Sequence, residues 1–147
     1  MSVSIIDLAI EQLEVSIDLF ISGRSYASAI TLAGAAEEIL GCYAKRQGES
    51  CVDIMYRIHE KTLTKQNINY NKPKAKFIKP YNNTKNRLKH LDKNDDVYVN
   101  FDLQWYATHI ITRACANYKL CKLPENKSIN CFNQWCAKDF FSTNEYD

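Results

Sequence analysis

The sequence predicts an all-α protein: a four- to five-helix bundle with a short extra C-terminal helix. Three observations carry this. Apolar residues recur at helical spacing along most of the chain, and no alternating stretch exceeds Val97-Tyr98-Val99. The breaks between apolar stripes fall at Gly and Pro, where helices stop. The chain has 147 residues, enough for one hydrophobic core, so residues 1–147 read as a single domain.

The first helix is expected from about Val3 to Phe20. Ile6, Leu13, Ile17 and Phe20 share one face, with the acidic row Asp7, Glu11, Glu14 and Asp18 opposite. Ser22-Gly23 breaks it. A second helix, from about Arg24 to Arg46, stops at Gln47-Gly48. Ser50 with Asp53 resembles a capping box and opens a third helix to about Leu63. Residues 64–79 are Lys/Asn-rich and read as a basic polar loop. Pro80 suits the first turn of a fourth helix ending near Leu91, since proline is tolerated there and not further in. After a loop over Asp92–Val99, Asn100 can cap a long fifth helix, Phe101 to Lys122, ended by Pro124. A last short helix covers Asn130 to Phe141.

The second helix is the architectural centre. Ala29, Leu32, Ala33, Ala36, Leu40 and Tyr43 fall on one arc, while Ile30, Gly34, Gly41 and Ala44 form a second flank. Two interior glycines, each costing about 1 kcal/mol relative to alanine, predict the close approach of another backbone. Glu37 lies between the two arcs and should be buried with a cationic partner. Arg113, at the edge of the fifth helix's core stripe, is the expected partner in a structural ion pair.

Composition narrows the function classes. No apolar run is long enough to span a bilayer. The apolar residues from Ile5 to Ile21 are interrupted by four acids and lack a basic leader, so the expected location is cytoplasmic. The six cysteines show no zinc-knuckle spacing and read as buried free thiols. No cofactor or metal is expected, because no two histidines fall one helical turn apart.

The formal net charge of +2 conceals a segregation. Residues 1–60 hold nine acids and four bases, residues 61–93 one acid and ten bases, and residues 94–147 seven acids and five bases. The basic stretch contains Lys85-Asn86-Arg87-Leu88-Lys89-His90. Projected on the fourth helix, Tyr81, Thr84, Leu88 and Leu91 make the core face. Asn86 and His90 point away from it, with Lys85 and Lys89 on one side and Arg87 on the other. An exposed His can act as general acid or base on RNA, and Asn can hold a phosphate oxygen. Lys85 can neutralise charge building on phosphorus. Arg87, Lys89, Lys79, Lys76 and Lys74 can bind the backbone electrostatically, with Tyr70 and Phe77 interleaved for base stacking.

The segments Ala29-Ile30-Thr31-Leu32-Ala33-Gly34-Ala35-Ala36-Glu37-Glu38-Ile39-Leu40-Gly41 and Lys85-Asn86-Arg87-Leu88-Lys89-His90 resemble the HEPN superfamily of small prokaryotic helical domains, over roughly residues 3–122. The resemblance implies a dimeric bundle. It also implies an Arg-polar-x-x-x-His motif that cleaves RNA without metal at the dimer cleft. Lys85 then takes the arginine place, Asn86 the polar place and His90 the histidine place. Lysine keeps the charge but lacks the bidentate fork. The resulting expectation is a homodimeric accessory or defence protein that binds RNA and cleaves it. The alternative is a non-enzymatic interaction module, whose basic segment docks an acidic protein partner or the acidic first helix of a neighbouring copy.

Overall fold

A computed structural model describes residues 1–140 of the chain. Six α-helices follow one another: α1 (Ile5–Ile21), α2 (Tyr26–Lys45), α3 (Cys51–Lys65), α4 (Lys74–Arg87), α5 (Leu103–Leu120) and α6 (Lys127–Trp135). A π-helical turn over Cys136–Phe140 continues α6. Among the described residues there is no strand, and the fold is the all-α bundle expected. No helix there is long and apolar enough to cross a membrane. The predicted end of the last helix at Phe141 lies outside the described residues.

Helix starts follow capping chemistry. Ser4 Oγ accepts from the Asp7 amide, Ser25 Oγ from Ser28, Asp102 Oδ1 from Trp105 and Asn126 Oδ1 from Ile129, at 2.9–3.3 Å. The Ser50/Asp53 capping box forms with both of its bonds. Asp102 therefore takes the capping role expected of Asn100, and α5 starts at Leu103.

The core forms where α2 lies between α1 and α5. Ala29, Ala33, Ala36 and Leu40 of α2 are fully buried, against Leu13, Ile17 and Phe20 of α1 and Ile110, Ile111 and Ala114 of α5. Burial of each large side chain contributes about 1.5–3 kcal/mol. Alanine on α2 lets both neighbours approach closely. The α6 ring of Phe132 closes one end, edge-on to Phe20 at 5.6 Å, and Trp135 meets Phe20 at 4.7 Å. The six cysteines are unpaired, but only Cys115 and Cys121 are buried, while Cys42 and Cys131 are exposed. The expectation of uniformly buried thiols is thus corrected.

The largest departure from expectation is α4. Residues 64–79 are not one loop: α3 runs on to Lys65, and α4 begins at Lys74, capped by Pro73. Pro80 sits inside the helix rather than in its first turn, leaving the Lys76 carbonyl without its usual amide donor. Ion pairs near both ends offset that loss. Lys74 binds Asp53 at the start of α3, and Lys85 binds two glutamates of α2. The helix ends at Arg87, short of the expected Leu91.

Asp53 is the junction of this corner. Its carboxylate accepts from the Ser50 amide at 3.0 Å and from Lys74, with Lys45 at 3.9 Å. Burial raises its pKa, but Lys74, Ser50 and Lys45 together outweigh this and bring it down to about 2. A depressed carboxylate pKa stabilises the fold above the unfolded value and loses that contribution as pH falls through the folded one. Asp53→Asn should therefore be less stable than wild type by a constant amount above about pH 4. The gap should close as pH approaches 2, and denaturant titrations of both proteins across that range test it.

Candidate nucleic-acid interface and the ion network beneath it

Two glycines of α2 make room for polar side chains. A Cβ on Gly34 would lie 3.1 Å from Lys85 Cδ, and one on Gly41 would lie 3.1 Å from Asn117 Nδ2. The neighbours that required glycine are thus side chains, not the backbone expected from sequence.

The space at Gly34 admits Lys85, which is 3% exposed. Its Nζ donates to Glu38 Oε1 at 2.6 Å and to Glu37 Oε2 at 3.4 Å. The other oxygen of Glu37, itself 5% exposed, accepts from Arg113 Nη2 at 2.9 Å. The same Arg113 nitrogen also donates to Asn82 Oδ1 at 3.2 Å, and Nη1 reaches the Tyr81 carbonyl at 3.4 Å. The structure brings Glu37 and Arg113 together, and adds Lys85 and Glu38. Partial burial raises the Glu38 pKa, but Lys85 first, then Lys89 and Arg113, reverse this and leave it lowered. Below the network, Asn117 ties three helices: Nδ2 donates to the Glu37 carbonyl at 3.1 Å, and Oδ1 accepts from the Cys51 amide at 2.7 Å.

The predicted trio Lys85, Asn86 and His90 is therefore split. Asn86 and His90 are exposed, whereas Lys85 faces the core. His90 lies beyond the end of α4, although its amide still donates to the Asn86 carbonyl at 3.1 Å. Lys85 projects about 60° from Leu88 but about 140° from His90, at 100° per residue. It belongs to the inward arc, and Glu37 and Glu38 supply the charge that makes the inward position tolerable.

Other members of the basic set divide similarly. Arg87 donates to Asp95 and to the Asp96 carbonyl, both at 2.7 Å, and so pins the loop after α4. Lys74 is committed to Asp53. Lys76, Lys79 and Lys89 are exposed and in no ion pair among the described residues. Lys76, Lys79, Asn83 and Asn86 fall on one outer face of α4. Phe77 and Tyr70 pack on Tyr56 and His59, with ring centroids 4.9–6.2 Å apart, and so hold α3 to α4. Tyr81, 47% exposed and 5.4 Å from Phe77, is the ring of this cluster most open to a base.

The reading of sequence alone missed a second assembly, in which the Trp105 and His109 rings of α5 meet at 3.9 Å, tilted by 48°. Partial burial lowers the His109 pKa from its ordinary value. Trp105, His109 and Thr112, spaced i, i+4 and i+7, were the available signal. Among the described residues no three His, Cys, Asp or Glu side chains converge on a common point.

No family model, curated protein or solved structure matches the chain.

Proposed function

We propose that this protein is an RNA-binding helical module that holds the phosphate backbone on the outer face of α4 without cleaving it. One observation carries the reading. Of the ten cations between residues 61 and 93, only Lys74, Lys85 and Arg87 form ion pairs among the described residues; the other seven are exposed. A run of unneutralised cations of this kind favours a polyanion. Asn86 and His90 contribute hydrogen bonds to the same surface. Cleavage by the HEPN-like route needs a cation beside the reacting phosphate, and Lys85 is committed to Glu37 and Glu38 instead.

A fluorescent single-stranded RNA, titrated at several salt concentrations, tests this. Binding should weaken steeply with salt, and combined Lys76→Ala, Lys79→Ala and Lys89→Ala substitution should reduce the log–log slope by about 2. His90→Ala should change affinity little, and RNA should remain intact after long incubation. Metal-independent cleavage abolished by His90→Ala would instead establish the ribonuclease.

A second reading, the interaction module, draws on α1. Ile5, Leu8 and Val15 are exposed there beside the acids Asp7, Glu11 and Asp18. That surface suits a basic helical partner, including α4 of another copy, and so gives the expected homodimer a physical route. Sedimentation at rising salt separates the readings: salt-sensitive self-association without RNA supports this one.

A further inference from the structure

We propose that a cavity between α3, α4 and α5 binds a planar aromatic compound bearing a neutral carbonyl acceptor. The cavity measures about 640 Å³, within the range of small-molecule sites. Its walls are apolar and aromatic: Met55 from α3, Tyr81 from α4, and Trp105, Tyr106 and Ile110 from α5. Trp105 and Tyr81 are each 47% exposed, although Trp105 also meets His109 and Tyr81 meets Phe77. Flat aromatic ligands stack on such rings at little cost in ligand entropy.

The polar groups of the lining define the rest of the ligand. Thr84 is 2% exposed, and its hydroxyl has no hydrogen-bond partner. This is unusual within the chain itself. Thr31, Thr62, Thr64, Thr108 and Thr112 all donate to the carbonyl four residues back in their helices, at 2.7–3.2 Å. Thr84 has no bond to the equivalent Pro80 carbonyl. The Thr84 oxygen is sealed from the cavity as it stands; helical threonine divides between two χ1 rotamers, and a change of rotamer is what brings the hydroxyl to a bound group. Arg113 Nε, also buried, is a second group without a partner. A guanidinium nitrogen only donates, and a threonine hydroxyl can donate, so the two agree on an acceptor.

Charge then restricts the acceptor's type. Lys85 and Arg113 bring two positive charges to the cavity lining, and Glu37 and Glu38, which lie outside that lining, pair with them from behind. This balance leaves no net attraction for a carboxylate or phosphate, and Glu37 would repel one. A neutral carbonyl satisfies the donors without that repulsion. Leaving a buried donor unmade costs about 1–3 kcal/mol, so meeting these two has a free-energy source. Apart from Tyr81, which borders both, this site is separate from the RNA surface, which lies on the opposite face of α4.

Coumarin is a suitable probe, being flat, uncharged and a carbonyl acceptor. Naphthalene has nearly the same outline without the acceptor, and naphthoate adds a carboxylate. Each is titrated into the full chain by calorimetry, with the Trp105 indole resonance followed in parallel. Coumarin should bind saturably and at least about tenfold more tightly than naphthalene, as one to two hydrogen bonds allow. Thr84→Val, which removes a hydroxyl that bonds nothing and so should keep the fold, is expected to erase most of that preference. Trp105→Ala, at a half-exposed position, should weaken all three probes. The assignment fails if coumarin does not bind at millimolar concentration or naphthalene binds equally well. It also fails if naphthoate binds best or folded Thr84→Val retains the full preference for coumarin.

Discussion

Glu37→Ala should lower the free energy of unfolding by about 3–5 kcal/mol, the usual cost of removing one member of a buried ion pair. The loss falls mainly on Arg113. It is 7% exposed, and its other partners are the Tyr81 carbonyl and the neutral Asn82 side chain. Lys85 is better protected, because Glu38 remains at 2.6 Å. Denaturant unfolding followed by circular dichroism gives the number. A companion variant, Glu37→Met with Lys85→Met and Arg113→Met, removes the charges together. It should recover most of the loss, since apolar replacement of a whole buried network is often neutral or stabilising. A loss below about 1 kcal/mol for Glu37→Ala would show the network to be effectively solvated.

Asn117→Ala should cost about 2–4 kcal/mol through an orphaned amide and the cavity left behind. Its carboxamide is fully buried and joins α5 to the α2 backbone and to the first amide of α3. The effect should be local as well as global. Amide exchange at Cys51 and its α3 neighbours should accelerate more than exchange in α2. Uniform acceleration across the bundle would mean that Asn117 does not hold α3 in place.

Much of this architecture was legible in the chain. The alanine arcs of α2, the stripe of α1 and the Ser50/Asp53 box are local periodic signals, and local signals survive folding intact. The meeting of Glu37 with Arg113 was readable because Glu37 lies between the two apolar arcs of α2 and Arg113 at the edge of the α5 core stripe. The start of α4 was not. Its first turn lacks a side-chain cap and its interior holds a proline, so local propensity opposes it, and contacts with distant Asp53 and Glu38 decide the outcome. Lys85 was misplaced for a related reason. A lysine reads as solvent-facing by default; its projection about 60° from Leu88 already leans inward, and its two glutamate partners, 47 and 48 residues away, make that position tolerable. The Thr84 hydroxyl leaves no mark in the sequence, since what sets it apart is a bond it does not make.

The uneven distribution of apolar burial has a consequence for how the molecule opens. Helix α3 has no buried residue, and the only buried residues of α4 are Thr84 and Lys85. The α3–α4 pair is attached to the rest by the Lys85 ion pairs, by hydrogen bonds from Arg113 and to Asn117, and by the partly buried Leu88, while α1, α2, α5 and α6 share the hydrophobic core. Subglobal unfolding should begin with the elements that bury the least apolar surface. Amide exchange in α3 and α4 should accordingly be faster than in α1, α2 and α5. Release of α4 would take Lys85 from its two glutamates into water, beside Asn86 and His90.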